Sequence, residues 1–472
     1  MFVRSPAGAA MLAVAVFAAP LAVRAQTAAP QPPAPLDLRG AVQYALAHDP
    51  TVLDRRSTLA QDEATFARDH AAEFPTLAGT LQNQLEKTNG NNPGALAQYG
   101  LSTAQVFSEN LAQVGSTYNI YTGSSTQIAA QSAKRQVESA RADVRRAEQQ
   151  LASDVAAAWF NAVQQREGVA LASGDRAYQQ QLLDAARAQE RVGRAAGVDV
   201  LRAQVNELRS EANLTTAQAN EANARESLAQ RIGAPLDVAF ALPAALPEPP
   251  APSTPVGTFV AETIAARPDV ASARALVAVA QLADAAIETD RRPQIQLTGA
   301  FGNAEIPTTQ TSGAVVIPGF GVIPGSSVNR PGFWQIGATS TWTVPFIEYG
   351  ARRAAHRAAQ AQIAAAQGTL SSTEGAVEVD VRQSYRGVQT SNANLHTQRE
   401  AERLGAESAR IAQLQYRNGL ISLTDATAAE QSALSAANDL VVAQVTYLNA
   451  VVRLRASVGV QDPVAVVSDL GA

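Results

Sequence analysis

The feature that most constrains the fold of this chain is a proline-free stretch at residues 126–191, which contains only two glycines. As one continuous α-helix it would be about 100 Å long. Small and apolar residues recur in it at steps of three and four, a heptad pattern that packs one side of a helix against other helices. These residues are Val137, Ala140, Val144, Ala147 and Leu151. The stretch predicts a long coiled-coil wall rather than the core of an ordinary globular domain.

The same pattern occurs twice along the chain, which indicates a tandem duplication. Gly193 and Gly419 are separated by 226 positions (419 − 193), and so are Asp199 and Asp425 (425 − 199). The first residues have a positive charge, an apolar run and a small-residue cleavage site, as a signal peptide does. The predicted organisation is a signal peptide at 1–25, a first repeat at 26–233, a proline-rich linker at 234–255, a second repeat at 256–459 and a C-terminal tail at 460–472.

Each repeat is predicted to contain helical sequence, two β-strands, a long helix and a returning helix. In the first repeat the strands span about 76–87 and 110–121, and the long helices about 126–191 and 199–231. In the second repeat the strands span about 294–303 and 333–346, and the helices about 351–417 and 424–457. The segments 88–109 and 306–331 are interpreted as loops, because turn-forming residues dominate them.

Composition excludes several classes of function. The formal net charge is −5, so nucleic acid is not expected as a partner. The chain has no cysteine, which excludes disulfides, thiolate metal sites and a lipid-modified N-terminal cysteine. No catalytic or nucleotide-binding motif is present and the four histidines are dispersed, so neither an enzyme nor a cofactor or metal site is expected.

The four predicted strands alternate apolar and polar residues, as strands with one lipid-facing side do. No segment after the leader has eighteen or more uninterrupted apolar residues, so we expect any membrane crossing to use a closed β-barrel. Membrane barrels need at least about eight strands, which two or three copies of this chain would supply. Trp334, Trp342 and Tyr118 are predicted to lie at the membrane interface. For the two tryptophans, aromatic pairing between strands is an open alternative.

These features together resemble the TolC-type outer-membrane channels of efflux pumps and type I secretion. The resemblance rests on the leader, the duplicated plan, the Tyr349-Gly350 junction, the turn at 416–419 and the stretch at 198–201. It implies an α+β membrane protein that forms a homotrimer in outer-membrane lipid. A 12-stranded β-barrel would continue into a periplasmic α-helical barrel. The trimer would export substrates received from an inner-membrane transporter through a periplasmic adaptor.

The resemblance also implies a gate at the periplasmic tip, where the helical hairpins turn. Gly193, Gly197 and Gly419 are the predicted turn residues. Asp425 matches a position whose carboxylates form a ring around the entrance, which would attract cations. Tyr416 and Asp199 match positions that tie the two hairpins together, so Tyr416→Phe with Asp199→Ala is predicted to loosen the tip.

Two departures and two alternatives accompany this interpretation. Ile421 stands where the family has a basic residue that helps to hold the closed state, and Ala428 stands where it has a second ring aspartate. Asp199 and Asp425 would also serve as ordinary helix-start residues, worth about 0.5–2 kcal/mol. Tyr416 would equally serve as a packing residue.

The alternative function is that of a periplasmic adaptor, or coiled-coil scaffold, of an export complex. Adaptors also use a long helical hairpin, but they carry one hairpin within small β-domains. This chain has two predicted hairpins and strands with one apolar face, which favours the channel. Fractionation would place a channel in the outer membrane as a heat-modifiable oligomer, and an adaptor at the inner membrane.

Overall fold

The computed structural model describes residues 35–89, 104–193, 195–243, 245–250, 255–309, 315–317, 321–323, 326–329, 332–460, 462–467 and 470. The predicted signal peptide lies outside the described residues.

The first half of the chain folds into helices, two strands and a long helical hairpin. Its elements are α1 (Leu38–His48), α2 (Pro50–Ala71), β1 (Thr76–Asn89), β2 (Ala104–Thr122), α3 (Ser125–Arg191) and α4 (Gly197–Ile232). Asp49 ends α1 and caps α2, because its side chain accepts a hydrogen bond from the backbone N–H of Thr51 at 2.8 Å. Pro50 follows as the first residue of α2, where its missing N–H costs no hydrogen bond.

The second half repeats this plan. Its elements are α5 (Val256–Ala266), α6 (Pro268–Ala286), a 3₁₀ turn (Thr289–Arg291), β3 (Gln294–Thr309), β4 (Val315–Ile317), β5 (Gly321–Ile323), β6 (Ser326–Asn329), β7 (Gly332–Thr341), α7 (Ala351–Arg417), α8 (Leu423–Val458) and a 3₁₀ turn (Pro463–Val466). Helices α3 and α7 each have 67 residues, and α4 and α8 each have 36. The hairpins are therefore equal in length, as a duplication requires.

The strand bounds differ from the predicted ones in two ways. β7 ends at Thr341 rather than at residue 346, and Trp342 therefore lies beyond the strand. Pro345 cannot donate a ladder hydrogen bond, which disfavours a longer strand. The segments interpreted as loops also contain strand residues, since β1 pairs with β2 as far as Asn89 opposite Ala104. Pairing with a neighbour extends a strand through turn-forming residues, and a local sequence pattern does not reveal it.

The main sheet is antiparallel and begins with the strand order β1-β2-β3; the far side of β3 then pairs with β7 at residues 294–303 and with β6 at residues 306–309. Directly paired residues point to the same face of a sheet, so the register defines two faces. One face is apolar and strongly exposed, with Leu81 and Trp334 each 79% exposed. The apolar face consists of Leu77, Leu81, Val114, Tyr118, Leu297, Phe301, Trp334 and Ile336. The opposite face carries polar side chains, for example Gln296, whose amide donates to Asn119 at 3.0 Å.

The long helices form a row in the order α4-α3-α8-α7, in which each helix packs on the next. The largest buried cluster lies partway along this row, around Trp159 and Phe160 of α3. The predicted linker and tail contribute to that cluster rather than lying outside it. Phe240 packs against it and forms a parallel bridge with Leu36, and Leu470 is fully buried in it.

Among the described residues, one helical segment is long and apolar enough to cross a membrane by length and composition, namely Pro268–Arg291 with a mean hydropathy of 1.5. The sequence test for uninterrupted apolar runs missed it, because Asp269 and Arg274 interrupt the run. Its helix, α6, packs along α3 and α7, and Arg274 pairs with Glu374 of α7 at 3.1 Å. α6 is thus part of the helical body.

Candidate functional site at the hairpin turns

Both hairpins turn at a glycine in the left-handed region. Gly193 has φ +69° and Gly419 has φ +74°, a backbone conformation that other residues adopt at a cost. At the end of α7 the backbone N–H of Leu420 donates to Gln415 O and that of Gly419 to Tyr416 O, both at 2.9 Å, which is the Schellman arrangement. Gly197 does not share this role. It is the first residue of α4 and lacks a left-handed φ, so one glycine makes each reversal.

The two returning helices begin differently, although their first turns carry equivalent aspartates. At α8, Asp425 N–H donates to Ser422 Oγ at 3.2 Å and Ser422 N–H donates to Asp425 Oδ2 at 3.3 Å, a capping box. At α4 the equivalent cap position is Ala196, which has no side-chain acceptor. Among the described residues, Asp199 instead has Arg202 as its ion-pair partner, at 3.7 Å. The helix-start interpretation describes Asp425 better than Asp199, while Asp425 also remains exposed at the tip.

A buried apolar cluster joins the two hairpins just above the turns. Its residues are Leu182, Leu183 and Ala186 of α3, Ala203 of α4, Tyr416 of α7, and Leu423 and Ala426 of α8. Ile421, at the position where the family has a basic residue, packs against this tip cluster. Ala428 is exposed. Sequence reasoning missed the leucines, and the period-3.6 spacing of 182, 183 and 186 was the available signal.

Tyr416 is buried in the tip cluster with 3% of its surface exposed. Its hydroxyl has no hydrogen-bond partner among the described residues. Burial, and then the nearby negative charge of Asp199, raises the pKa of the Tyr416 hydroxyl. The structure thus brings Tyr416 and Asp199 together without a hydrogen bond between them. The hairpins are joined here by packing and by Gln189 of α3, whose amide donates to Tyr416 O at 2.7 Å.

An acidic groove lies above the tip cluster, where α3, α7 and α8 meet. Asp175 and Tyr178 of α3, Glu402 and Arg410 of α7, and Glu430 of α8 line it. Burial, and then the charge of Asp175, raises the pKa of Glu430 to about 7. Burial, and then Glu430, raises the pKa of Tyr178 to about 12. The groove therefore holds a carboxyl group that titrates near neutrality between two hairpins.

We expect Glu430→Gln to flatten the pH dependence of the packing of α8 on α3. Because the pKa of Glu430 is raised in the folded state, its stabilising effect is full below its ordinary pKa and is lost as the pH rises through about 7. Ionised Glu430 would then repel Asp175 and weaken the packing of α8 on α3. The measurement is the melting temperature of the purified protein between pH 5 and 8, with Glu402→Gln as the control in the same groove. An unaltered pH profile in Glu430→Gln would contradict this prediction.

Two of the three predicted interface aromatics lie in the sheet. Trp334 lies directly opposite Phe301 on the apolar face, and Tyr118 lies opposite Leu297. Trp342 lies just beyond β7, where its indole N–H donates to Arg291 O at 2.8 Å. Trp334 thus has an aromatic cross-strand neighbour and an exposed side chain at once, so the two interpretations of this residue are compatible.

Among the described residues, no three histidine or acidic side chains meet in an arrangement that could hold a metal ion. One histidine nevertheless has a defined place. His356 of α7 lies between Asp284 and Glu288, with each ring nitrogen 2.8 Å from a carboxylate. These two contacts raise the pKa of His356 and attach α7 to the last turn of α6 and to Glu288, two residues beyond its end.

The family model described as outer membrane efflux protein matches residues 41–234 and 260–460. No curated protein matches the chain. The fold is similar to the Campylobacter jejuni CmeC outer membrane channel, at 18% identity over 89% of this chain and 85% of that chain, with a TM-score of 0.70. It is also similar to the open state of the Neisseria gonorrhoeae MtrE outer membrane channel, at 20% identity over 90% and 89%, with a TM-score of 0.69.

A third similar structure is the Vibrio cholerae outer membrane protein VceC, at 16% identity over 89% of this chain and 96% of that chain, with a TM-score of 0.67. At identities this low, the three structural similarities show a shared fold alone. The family match is independent of them and spans both repeats, including both pairs of hairpin helices. Its description refers to efflux rather than to catalysis. The chain belongs to the outer membrane efflux protein family, and its location is the outer membrane.

Proposed function

We propose that three copies of this chain form one channel-tunnel, which exports substrates delivered by an inner-membrane transporter and a periplasmic adaptor. Twelve strands would form a barrel in the outer membrane, and twelve helical columns would form a tunnel across the periplasm. The observation that carries the proposal is that the main sheet and the row of long helices each have two open edges. β1 ends the main sheet on one side and β7, with the short β6, ends it on the other, while α4 and α7 end the row of long helices.

The main sheet supports a membrane position. Its apolar face is strongly exposed, with Leu77, Phe301 and Ile336 between 67% and 76% exposed. Open strand edges are not tolerated in lipid, so β1 and β7 require partners. In a ring of copies, β7 of one protomer would pair with β1 of the next, and no edge would remain.

The helix row supports the same ring. An α4 stripe of exposed apolar residues consists of Val198, Leu201, Val205 and Leu208, and an α7 stripe consists of Leu404, Ile411 and Leu414. Each stripe follows heptad spacing. The two stripes are level, because Leu201 lies eight residues after Gly193 (201 − 193) and Ile411 lies eight residues before Gly419 (419 − 411). In a ring, the α4 stripe of one protomer would cover the α7 stripe of the next.

The test of the channel function is single-channel recording of the purified oligomer in planar bilayers. Stable conductance steps are expected. No conductance from a verified oligomer would favour the adaptor or scaffold function instead. Adaptor docking at the tip is tested separately, by cross-linking at the exposed tip residues Val192 and Leu420 in cells.

We further propose that three Asp425 carboxylates converge near the channel axis and favour cations. Asp425→Asn is expected to lower cation selectivity severalfold, measured from the reversal potential in a salt gradient. Asparagine removes the charge but keeps an acceptor for the capping box.

Ser422→Ala is the matched control for the Asp425 prediction, because it removes the Ser422 half of the capping box and leaves the carboxylate. It is expected to leave selectivity unchanged. If Ser422→Ala lowers selectivity as much as Asp425→Asn does, Asp425 acts through the start of α8 rather than as a ring charge. Unchanged selectivity in Asp425→Asn would place the selective ring elsewhere.

A further inference from the structure

The two strand-to-helix junctions of the repeats differ sharply. Residues 342–349, which we name the junction segment, connect β7 to the glycine before α7 and carry several highly exposed apolar side chains. Phe346 is 97% exposed and Tyr349 is 96% exposed. The other large apolar side chains of the segment, Trp342, Val344 and Ile347, are also exposed. Nothing in the described part of the chain covers this apolar surface.

The equivalent junction of the first repeat is buried at its last residue. Tyr349 corresponds to Gly123 (349 − 226), and Gly123 is buried. A Cβ atom at Gly123 would lie 2.7 Å from Thr289 O, so only glycine fits there. Both positions have a left-handed backbone, with φ +65° at Gly123 and φ +47° at Tyr349. The left-handed backbone conformation is unfavourable for tyrosine. At Tyr349 this conformation directs the ring away from the protein.

Two unpaired arginines follow the junction segment on α7. Arg353 and Arg357 are exposed and lie one helical turn apart, and neither has an ion-pair partner among the described residues. Their neighbour Arg352 is paired, at 2.9 Å from Glu348 and 3.3 Å from Glu288. The first repeat has no such charges, since its equivalent residues are the exposed Gln127 and Gln131.

We propose that the junction segment and these two arginines bind anionic phospholipid in the leaflet that faces the periplasm. The inference rests on the proposed function, because it requires the main sheet to lie in the outer membrane. The junction segment continues from the periplasmic end of β7, directly after the apolar face. Aromatic rings favour the headgroup level of a membrane, and guanidinium groups there bind lipid phosphates. The surface therefore fits a lipid leaflet on both apolar and electrostatic grounds.

The test uses the purified oligomer and native mass spectrometry with added phosphatidylglycerol or phosphatidylethanolamine. The double variant Arg353→Gln with Arg357→Gln gives α7 the residues that α3 carries. We expect phosphatidylglycerol to bind more weakly, by about fivefold for each arginine removed, and phosphatidylethanolamine binding to stay unchanged. Tyr349→Gly restores the residue of the first repeat, and it is expected to weaken the binding of both lipids without unfolding the chain.

The matched control is Arg403→Gln with Arg410→Gln, two exposed arginines on the same helix. They begin fifty residues further along α7 (403 − 353), about 75 Å from the junction, so lipid binding should not change. Equal phosphatidylglycerol binding in the Arg353 and Arg357 double variant and in this control would overturn the inference.

Two further outcomes would also overturn it. Loss of the oligomer in the double variant would mean that the arginines contact a neighbouring protomer rather than lipid. If soluble glycerophosphate competed with phosphatidylglycerol as well as the lipid itself does, the arginines would bind a free anion rather than a lipid. Failure of the proposed function is distinguishable, because the unmodified protein would then form no oligomer in detergent, whatever lipid is added.

Discussion

Tyr416→Ala is expected to open the tip of the channel and to raise single-channel conductance severalfold. Tyr416 is 3% exposed in the tip cluster, between Leu182 of α3 and Leu423 of α8. Truncating a buried aromatic side chain to alanine costs about 3–5 kcal/mol of packing. A loss of about 3 kcal/mol shifts a two-state equilibrium by about a hundredfold. If separation of the hairpins opens the tip, this loss converts a mostly closed channel into a mostly open one.

Tyr416→Phe is the matched control. For this single change the structure gives no reason to expect a looser tip, and the sequence-based expectation for Tyr416→Phe with Asp199→Ala stays a prediction. The hydroxyl is buried without a hydrogen-bond partner among the described residues, so removing it takes away a polar atom that packing does not satisfy. Conductance of Tyr416→Phe should equal that of the unmodified channel. An increase equal to that of Tyr416→Ala would show that the hydroxyl, and not the ring, holds the tip closed.

The long helices were predictable because each carries its own signal. α3 and α7 have no proline and a continuous heptad pattern, and their glycine turns and aspartates recur at one offset. Predicted and observed bounds of α3 differ by one residue, with 126–191 predicted against Ser125–Arg191. Local periodicity is therefore enough to predict where such a helix begins and ends.

The candidate site was less predictable, because its properties depend on contacts between distant residues. Equivalent sequence positions have different roles: Asp425 completes a capping box, whereas Asp199 follows an alanine cap and lies near a buried hydroxyl. The position of Glu430 opposite Asp175 requires knowing that α8 packs on α3. The role of His356 is not visible in the sequence, since its partners are 68 and 72 positions away.

The same dependence applies to the edges of the protomer. In the sequence, the apolar residues of the α4 stripe look like ordinary heptad positions. Only the structure shows that α4 ends the helix row, so that these residues have no helix of the same chain to cover them. The sheet shows the matching property, because β1 ends it on one side and β7, with the short β6, on the other. Two independent layers of the fold thus leave open edges, and one ring of copies would close both.

Leu201→Asp is accordingly expected to abolish the oligomer. Leu201 is 63% exposed in the centre of the α4 stripe, level with Ile411 of the α7 stripe. In the proposed ring, the variant would place an unpaired carboxylate in an apolar contact, which costs several kcal/mol because the charge loses its water. A ring of three copies contains that contact three times, so the cost is multiplied. The measurement is the mass of the purified protein by light scattering, together with the heat-modifiable band on a gel.

Leu236→Asp is the control for the Leu201 variant, because Leu236 is 60% exposed but lies after α4 and outside both stripes. It should leave the oligomer intact. Adding Ile411→Lys to Leu201→Asp should restore part of the assembly, since the new charges would face each other across the level stripes. An intact oligomer in Leu201→Asp would mean that α4 does not contact a neighbouring α7. Restoration by Ile411→Lys would instead fix the order of the helices around the ring, because only a contact between α4 and α7 brings these two positions together.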